Sequence, residues 1–147
     1  MHMRNQNLLT RTEHQLDRYR EAGPFLLRLF FAFVLIYGTI DNVFSTSRMY
    51  EFRDFLEHNG FPWPLASAYL SAYAQFICGI LILGGVFTRL ASAVMAFNFI
   101  IALLMVHTGL PFDANIAPLA MLTAALFFLF YGAPRYSMDA LFSPGKV

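Results

Sequence analysis

Charge is scarce in this chain. Of 147 residues, 10 are basic and 9 acidic, or 13% charged, where an ordinary soluble domain is about a quarter charged. A water-soluble globule is a poor fit to that balance, and a net charge of +1 leaves no electrostatic footprint for nucleic acid. Cysteine is scarcer still. Cys78 stands alone, which excludes an intramolecular disulfide, a CxxC redox pair and a thiolate metal cluster. Redox chemistry would have to come from a borrowed cofactor or partner. The length is short for two domains. What the chain has in abundance is apolar surface: 58% of residues are hydrophobic and 17% aromatic, and mean hydropathy is +0.54.

A hydrocarbon core about 30 Å thick is crossed by roughly 20 apolar residues. Four runs reach that length. The first, residues 25–44, carries Arg28 and Asp41 one turn inside its two ends; the second, 65–87, holds no formal charge. The third is residues 90–107 and the fourth 115–132, with Pro118 expected in the first turn of the last, where a missing N–H does little harm. This reading gives an all-α integral membrane four-helix bundle. A segment 1–24 precedes the membrane domain 25–134, and a tail 135–147 follows it.

Basic residues concentrate on one side. Arg4, Arg11, Arg18, Arg20, Arg28, Arg89, Arg135 and Lys146 fall with the termini and the second turn, against Arg48 and Arg53 on the other side. Lys and Arg in short loops stay cytoplasmic, so both termini are expected inside. The polar start is unlike a secretory signal, so the first span is expected to be retained. Two segments read as helices lying on the membrane. Residues 8–22 offer a Thr10/Glu13 capping box and a Leu9, Thr12, Leu16, Tyr19 stripe on the inner side. Residues 48–58 set Met49, Phe52, Phe55 and Leu56 opposite Glu51, Asp54 and Glu57 on the outer side. Arg28, Trp63, Arg89 and Arg135 are placed at the interfaces as anchors, Arg28 by snorkelling.

Helices in lipid gain nothing by hiding apolar surface from each other, so small residues and hydrogen bonds hold them together. Ser67, Ser71, Gln75 and Gly79 recur every four residues, with Ala68, Ala72 and Cys78 nearby, and read as a packing face. A tight turn at Phe87-Thr88-Arg89 makes the second and third spans antiparallel neighbours, which brings Gln75 and Asn98 to similar depth near the midplane. Two readings stay open for them: an interhelical amide hydrogen bond, or a polar contact for a quinone oxygen or another buried head group, which Thr123 and Cys78 could extend. Asp41, His107, Asp113 and Asn115 share a depth near the outer surface. They could gather into one polar site for a proton relay, a quinone or a cation, or each could be a solvated helix end. No nucleophile triad, phosphate-cradling glycine loop or closely spaced set of metal ligands is present.

The order of several short motifs resembles the DoxX family of small four-helix bacterial membrane proteins, over roughly residues 24–142. Leu27-Arg28-Leu29 with Tyr37-Gly38 is similar to the family's first span. Asn59-Gly60-Phe61-Pro62 with Trp63-Pro64 is similar to its entry to the second, and GILILGGVFTRLAS, Gly79 to Ser92, to its glycine-leucine run ending in Thr-Arg. His107 falls where the third helix often ends in histidine, and YGAPRYSMDALF, Tyr131 to Phe142, looks like the closing Gly-x-x-Arg-x-Ser-x-Asp. The resemblance implies a bacterial inner-membrane protein linked to sulfur-compound oxidation through quinone and to oxidative-stress complexes. The chain departs from it at Asp41, where a basic residue is usual, at Gln75, where a glutamate is usual, and near Ile116 and Ala117, where an acid is usual. An amide in place of a carboxyl keeps a hydrogen-bonding group and removes a proton carrier.

The expectation is therefore an accessory subunit of a larger membrane complex, redox or respiratory in character, without catalysis of its own. A quinone-binding oxidoreductase subunit is the alternative, and a small binder or transporter of apolar ligands the third. No intrinsic cofactor or metal is expected, with a bound quinone or lipid left open. The bilayer and membrane proteins are the expected partners, a second copy of the chain is left open, and nucleic acid is excluded.

Overall fold

The computed structural model describes residues 19–133 and 137–139. The expected inner surface helix, most of its segment and Arg135 lie outside the described residues, as does the tail apart from 137–139. Six helices are described: α1 (Ala22–Tyr37), α2 (Ile40–Phe44), α3 (Thr46–His58), α4 (Pro64–Gly84), α5 (Thr88–Met105) and α6 (Phe112–Tyr131). Four stretches are long and apolar enough to cross a membrane: Ala22–Phe44, Pro64–Gly84, Thr88–Met105 and Phe112–Tyr131. The fold is all-helical, as its runs of apolar sequence lead one to expect.

The boundaries differ from the sequence reading in physically instructive ways. The first span is broken at Gly38-Thr39, where the Thr39 hydroxyl donates to Leu35 O at 2.7 Å, an i−4 back-bond of the kind that bends helices. The turn between α4 and α5 is at residues 85–87, not 87–89. Gly85 takes φ +66°, its N–H donates to Ile82 O, and Val86 N–H donates to Leu81 O, the paired closure that ends a helix in the left-handed region. Thr88 and Arg89 therefore already belong to α5. The last helix starts a turn earlier than expected, so Pro118 lies in its interior. There its missing N–H leaves the Ala114 carbonyl without an intrahelical donor.

Outside the spans, α3 starts at a Ser45 cap, whose hydroxyl accepts from Arg48 N–H, and ends at Asn59-Gly60. Its stripe of Met49, Phe52 and Leu56 packs on Ala68 and Ala72 of α4, while Glu51, Asp54 and Glu57 face outward. Arg48 donates to Glu51 at 2.7 Å, an exposed pair that pushes the Arg48 guanidinium above its ordinary value. The main core joins Phe31, Ala32 and Leu35 of α1, Cys78 and Ile82 of α4, Ala91, Met95 and Phe99 of α5, and Ala125 and Phe128 of α6. Gly79 lets α1 approach α4 closely, because a Cβ there would stand 2.8 Å from Ile36 Cγ1. α1 packs mainly on α4, and α6 mainly on α5. α1 and α6 meet in a seam at one end, through the stacked rings of Phe31 and Phe128 and a bond from Tyr131 to Glu21. Both ends of the four-span unit therefore lie on the same side of it.

Candidate functional site

Three places concentrate polar chemistry. The first is a ladder between α4 and α5. Gln75 Nε2 donates to Ser71 Oγ at 3.2 Å, one turn away on the same helix, and Ser71 Oγ donates to Asn98 Oδ1 at 3.0 Å across to α5. The two amides that the sequence places at one depth are joined through the Ser71 hydroxyl rather than directly. Ser71, read above as part of a packing face, is the link. All three residues are half-buried. Gln75 Oε1 and Asn98 Nδ2 take no part in the ladder, so it presents one acceptor and one donor group beyond its own bonds. With no titratable member, it can hold a neutral polar group but cannot carry a proton.

Ser71→Ala unlinks both amides at once and leaves Gln75 Nε2 and Asn98 Oδ1 without a partner. The expected cost is about 0.6–2 kcal/mol, the span found for interhelical hydrogen bonds in membranes. Unfolding in mixed micelles would measure it, and a variant as stable as the unaltered chain would show that the ladder holds nothing together.

The second place is the outer group. Among the described residues, no hydrogen bond or ion pair links any two of Asp41, His107, Asp113 and Asn115. Asp41 is exposed on α2 and lies near Arg48. Asn115 Nδ2 donates to Leu110 O and Pro111 O, at 3.2 and 3.1 Å, tying the turn that precedes α6. Asp113 is exposed in the first turn of α6. His107 follows the end of α5, half-buried, with its Nδ1 enclosed and unpartnered. No group of three or more possible metal ligands occurs among the described residues. Thr123 spends its hydroxyl on Leu119 O at 2.8 Å. It lines a shallow apolar groove with Leu126, Phe127, Phe130 and Tyr131 on the outside of α6.

The third place was not singled out as a site by the sequence. Asp139 sends its carboxylate to the start of α5, accepting from Phe87 N–H and Thr88 N–H, each at 2.9 Å. Its own N–H donates to Gly85 O at 2.9 Å. Arg28 belongs to this knot. It is buried at 3% exposure, against Gly85 and within the field of Asp139, so it does not snorkel to water. Ser137, buried at 7% exposure, packs on the face of Gly85 where a side chain would otherwise stand. Nearby, Arg89 lies over Gly132 and donates to Phe130 O at 3.4 Å, a cation at the C-terminal end of α6. Trp63, with φ +46°, is 83% exposed at the opposite end. The only signal for the knot in the sequence is its Gly-x-x-Arg-x-Ser-x-Asp pattern, because a cap 51 residues from its helix leaves no local periodicity.

Comparison with known proteins adds one finding. The DoxX family model matches residues 23–108, more than half of the chain, from α1 to just past α5. No curated protein and no solved structure matches.

Proposed function

Because the chain belongs to the DoxX family, a family of membrane proteins, we propose that it is an accessory subunit of a larger membrane assembly, redox in character, docked through α6. One observation carries this reading. Only 11% of the apolar window of α6 is buried within the chain, against 28%, 28% and 33% for the other three spans. Its two buried residues, Ala125 and Phe128, both lie in its C-terminal half. No residue in the N-terminal half of α6 is buried within the chain, and a neighbouring membrane protein is the partner that suits such a flank. The same reading puts both termini in the cytoplasm of a bacterial cell, in keeping with Arg20, Arg28 and Arg89 at the terminal end and the basic bias of the whole sequence.

A second reading rests on the ladder. Gln75 Oε1 and Asn98 Nδ2 are available to a neutral head group such as a quinone or a lipid carbonyl, in a chain that then binds an apolar ligand. Asp41 and His107, expected above to share in such a site, have no hydrogen bond to the ladder.

Gentle detergent extraction from the native membrane, followed by mass determination of the intact particle and identification of its contents, separates the two. Other membrane subunits at fixed stoichiometry are the expected result. A lone monomer or homo-oligomer carrying a lipid-like molecule would overturn the accessory reading in favour of the ladder.

A further inference from the structure

Gln75 stands on the buried face of α4 without being buried. Ala68 and Ala72 precede it by seven and three residues, and Gly79 and Ile82 follow it by four and seven, which puts all five on one face of the helix. Those four are buried, Ala68 and Ala72 against α3 and Gly79 against α1, whereas Gln75 is half-exposed. An inward residue that stays accessible faces an opening in the bundle. The helix missing from its surroundings is α6, no residue of whose N-terminal half is buried. The ring stack of Phe31 on Phe128 and the bond from Tyr131 to Glu21 lie at the end of the bundle where the termini are. The amides at this level also keep hydrogen-bonding capacity. Gln75 Nε2 is used on Ser71, whose hydroxyl is used on Asn98 Oδ1, so Gln75 Oε1 remains as an acceptor and Asn98 Nδ2 as a donor. Neither atom is enclosed, unlike the unpartnered atoms of Thr88, Ser92 and His107. Gln75 is the twelfth of 21 residues in α4 and Asn98 the eleventh of 18 in α5, a depth at which no water competes for them.

The open groups select the ligand. An acceptor has to be met by a donor, so a molecule with carbonyl oxygens alone, such as a quinone, satisfies Asn98 and leaves Gln75 Oε1 unpaired, and an unpaired buried group discriminates sharply between ligands. A fatty acid brings a carboxylate for which Ser71, Gln75 and Asn98 offer no cation. A phospholipid head is charged and belongs at the membrane surface. An ester lipid with a free hydroxyl has a donor, an acceptor and no charge. We propose that the opening between α1 and the N-terminal half of α6 admits a neutral acylglycerol, whose hydroxyl donates to Gln75 Oε1 and whose ester carbonyl accepts from Asn98 Nδ2. The proposal rests on the second reading above, in which the ladder binds a neutral head group, and it adds the class of ligand and its way in. Ser71 positions both amides, because its hydroxyl holds the other end of each. The acyl chains then lie along α6, where Ile116 and Leu119 are exposed.

The test uses the full-length protein in detergent, with dioleoylglycerol, its O-methyl ether and a short-tailed quinone as probes. Dioleoylglycerol is expected to bind once per chain by native mass spectrometry and to raise the melting temperature by several degrees at saturation. The ether, identical but for the lost donor, is expected to bind at least about tenfold more weakly, the effect of one unpaired buried group. Gln75→Leu should abolish the preference for alcohol over ether, and Asn98→Leu should weaken the binding of both. Thr123→Val, on the outside of α6, should leave the preference intact. No binding of dioleoylglycerol, equal binding of alcohol and ether, or a preference that survives Gln75→Leu overturns the proposal. Should Gln75→Leu fail to fold, the comparison of alcohol with ether on the unaltered chain decides. The quinone separates this failure from that of the ladder reading. A quinone that binds once per chain and is lost in Asn98→Leu, beside no binding of dioleoylglycerol, keeps the ladder as a ligand site and removes the acylglycerol; no binding of any probe removes both.

Discussion

Gly85→Ala is expected to destabilise the protein by about 2–4 kcal/mol, more than any other single methyl addition at its turns. Two costs combine there. The backbone sits at φ +66°, where an L side chain costs about 1–2 kcal/mol. The added Cβ would also fall within 2.6 Å of Arg28 Nη1, and Ser137 Cα stands 3.0 Å away. The Cβ of Ser137 is closer still. A guanidinium tip can swing aside, but backbone and a Cβ cannot without unseating residues 137–139. Asp139 would then lose its place on the Phe87 and Thr88 N–H groups.

Gly60 supplies the control. It adopts nearly the same backbone, φ +74°, yet a Cβ there meets nothing within 4 Å. Gly60→Ala should therefore cost the backbone strain alone, about 1–2 kcal/mol. The difference between the two variants, read by unfolding in mixed micelles, isolates the contribution of residues 137–139. Equal losses would mean that Ser137 and Asp139 add nothing to the stability of the turn.

How much of this was legible in the sequence depends on whether the determining interaction is local. The spans were legible, because length and composition decide what can cross a bilayer. The surface helix α3 was legible as well, since Met49, Phe52 and Leu56 repeat at helical spacing. Depth could be counted along each span, which is why Gln75 and Asn98 come to one level. Direction around the helix axis could not be counted in the same way. Arg28 is at the depth expected of a snorkelling residue but turns inward, toward Gly85 and Asp139. Asn115 ties the turn before its own helix, Asp41 stays exposed, and His107 keeps an enclosed, unpartnered Nδ1. Ser71 looked like a small packing residue because its size shows in the pattern and its hydroxyl does not. The left-handed turns at Trp63 and Phe87 occur at residues that rarely adopt that conformation, and the capping of α5 by Asp139 joins segments far apart in the chain.

The second large effect is expected at the seam between α1 and α6. Phe31 and Phe128 are both fully buried, with ring centroids 6.1 Å apart and planes inclined by 17°. This stack and the Tyr131 bond to Glu21 join α6 to the start of the chain's first span. Phe31→Ala removes the stack. In a water-soluble core such a change costs about 3–5 kcal/mol, part of it the transfer of the ring from water. That part vanishes when the alternative to protein is lipid. What is left is lost contact and the aromatic pair itself, so the expected cost is about 1–3 kcal/mol. A double-mutant cycle with Phe128→Ala should return a coupling of about 0.5–1.5 kcal/mol, and additivity would show that the rings stabilise separately.

The same substitution bears on the docking role. Phe31 is enclosed and cannot touch a partner, but its loss releases α6 from its fixed position. Phe130, 77% exposed on α6, is the converse, since Phe130→Ala changes the outer face and leaves the seam intact. If α6 is the docking helix, Phe130→Ala should lower recovery of the assembly at unchanged stability. Phe31→Ala should lower stability and recovery together. Full recovery of the assembly with Phe130→Ala and with companion changes at Phe127 and Ile116 would move the interface away from α6.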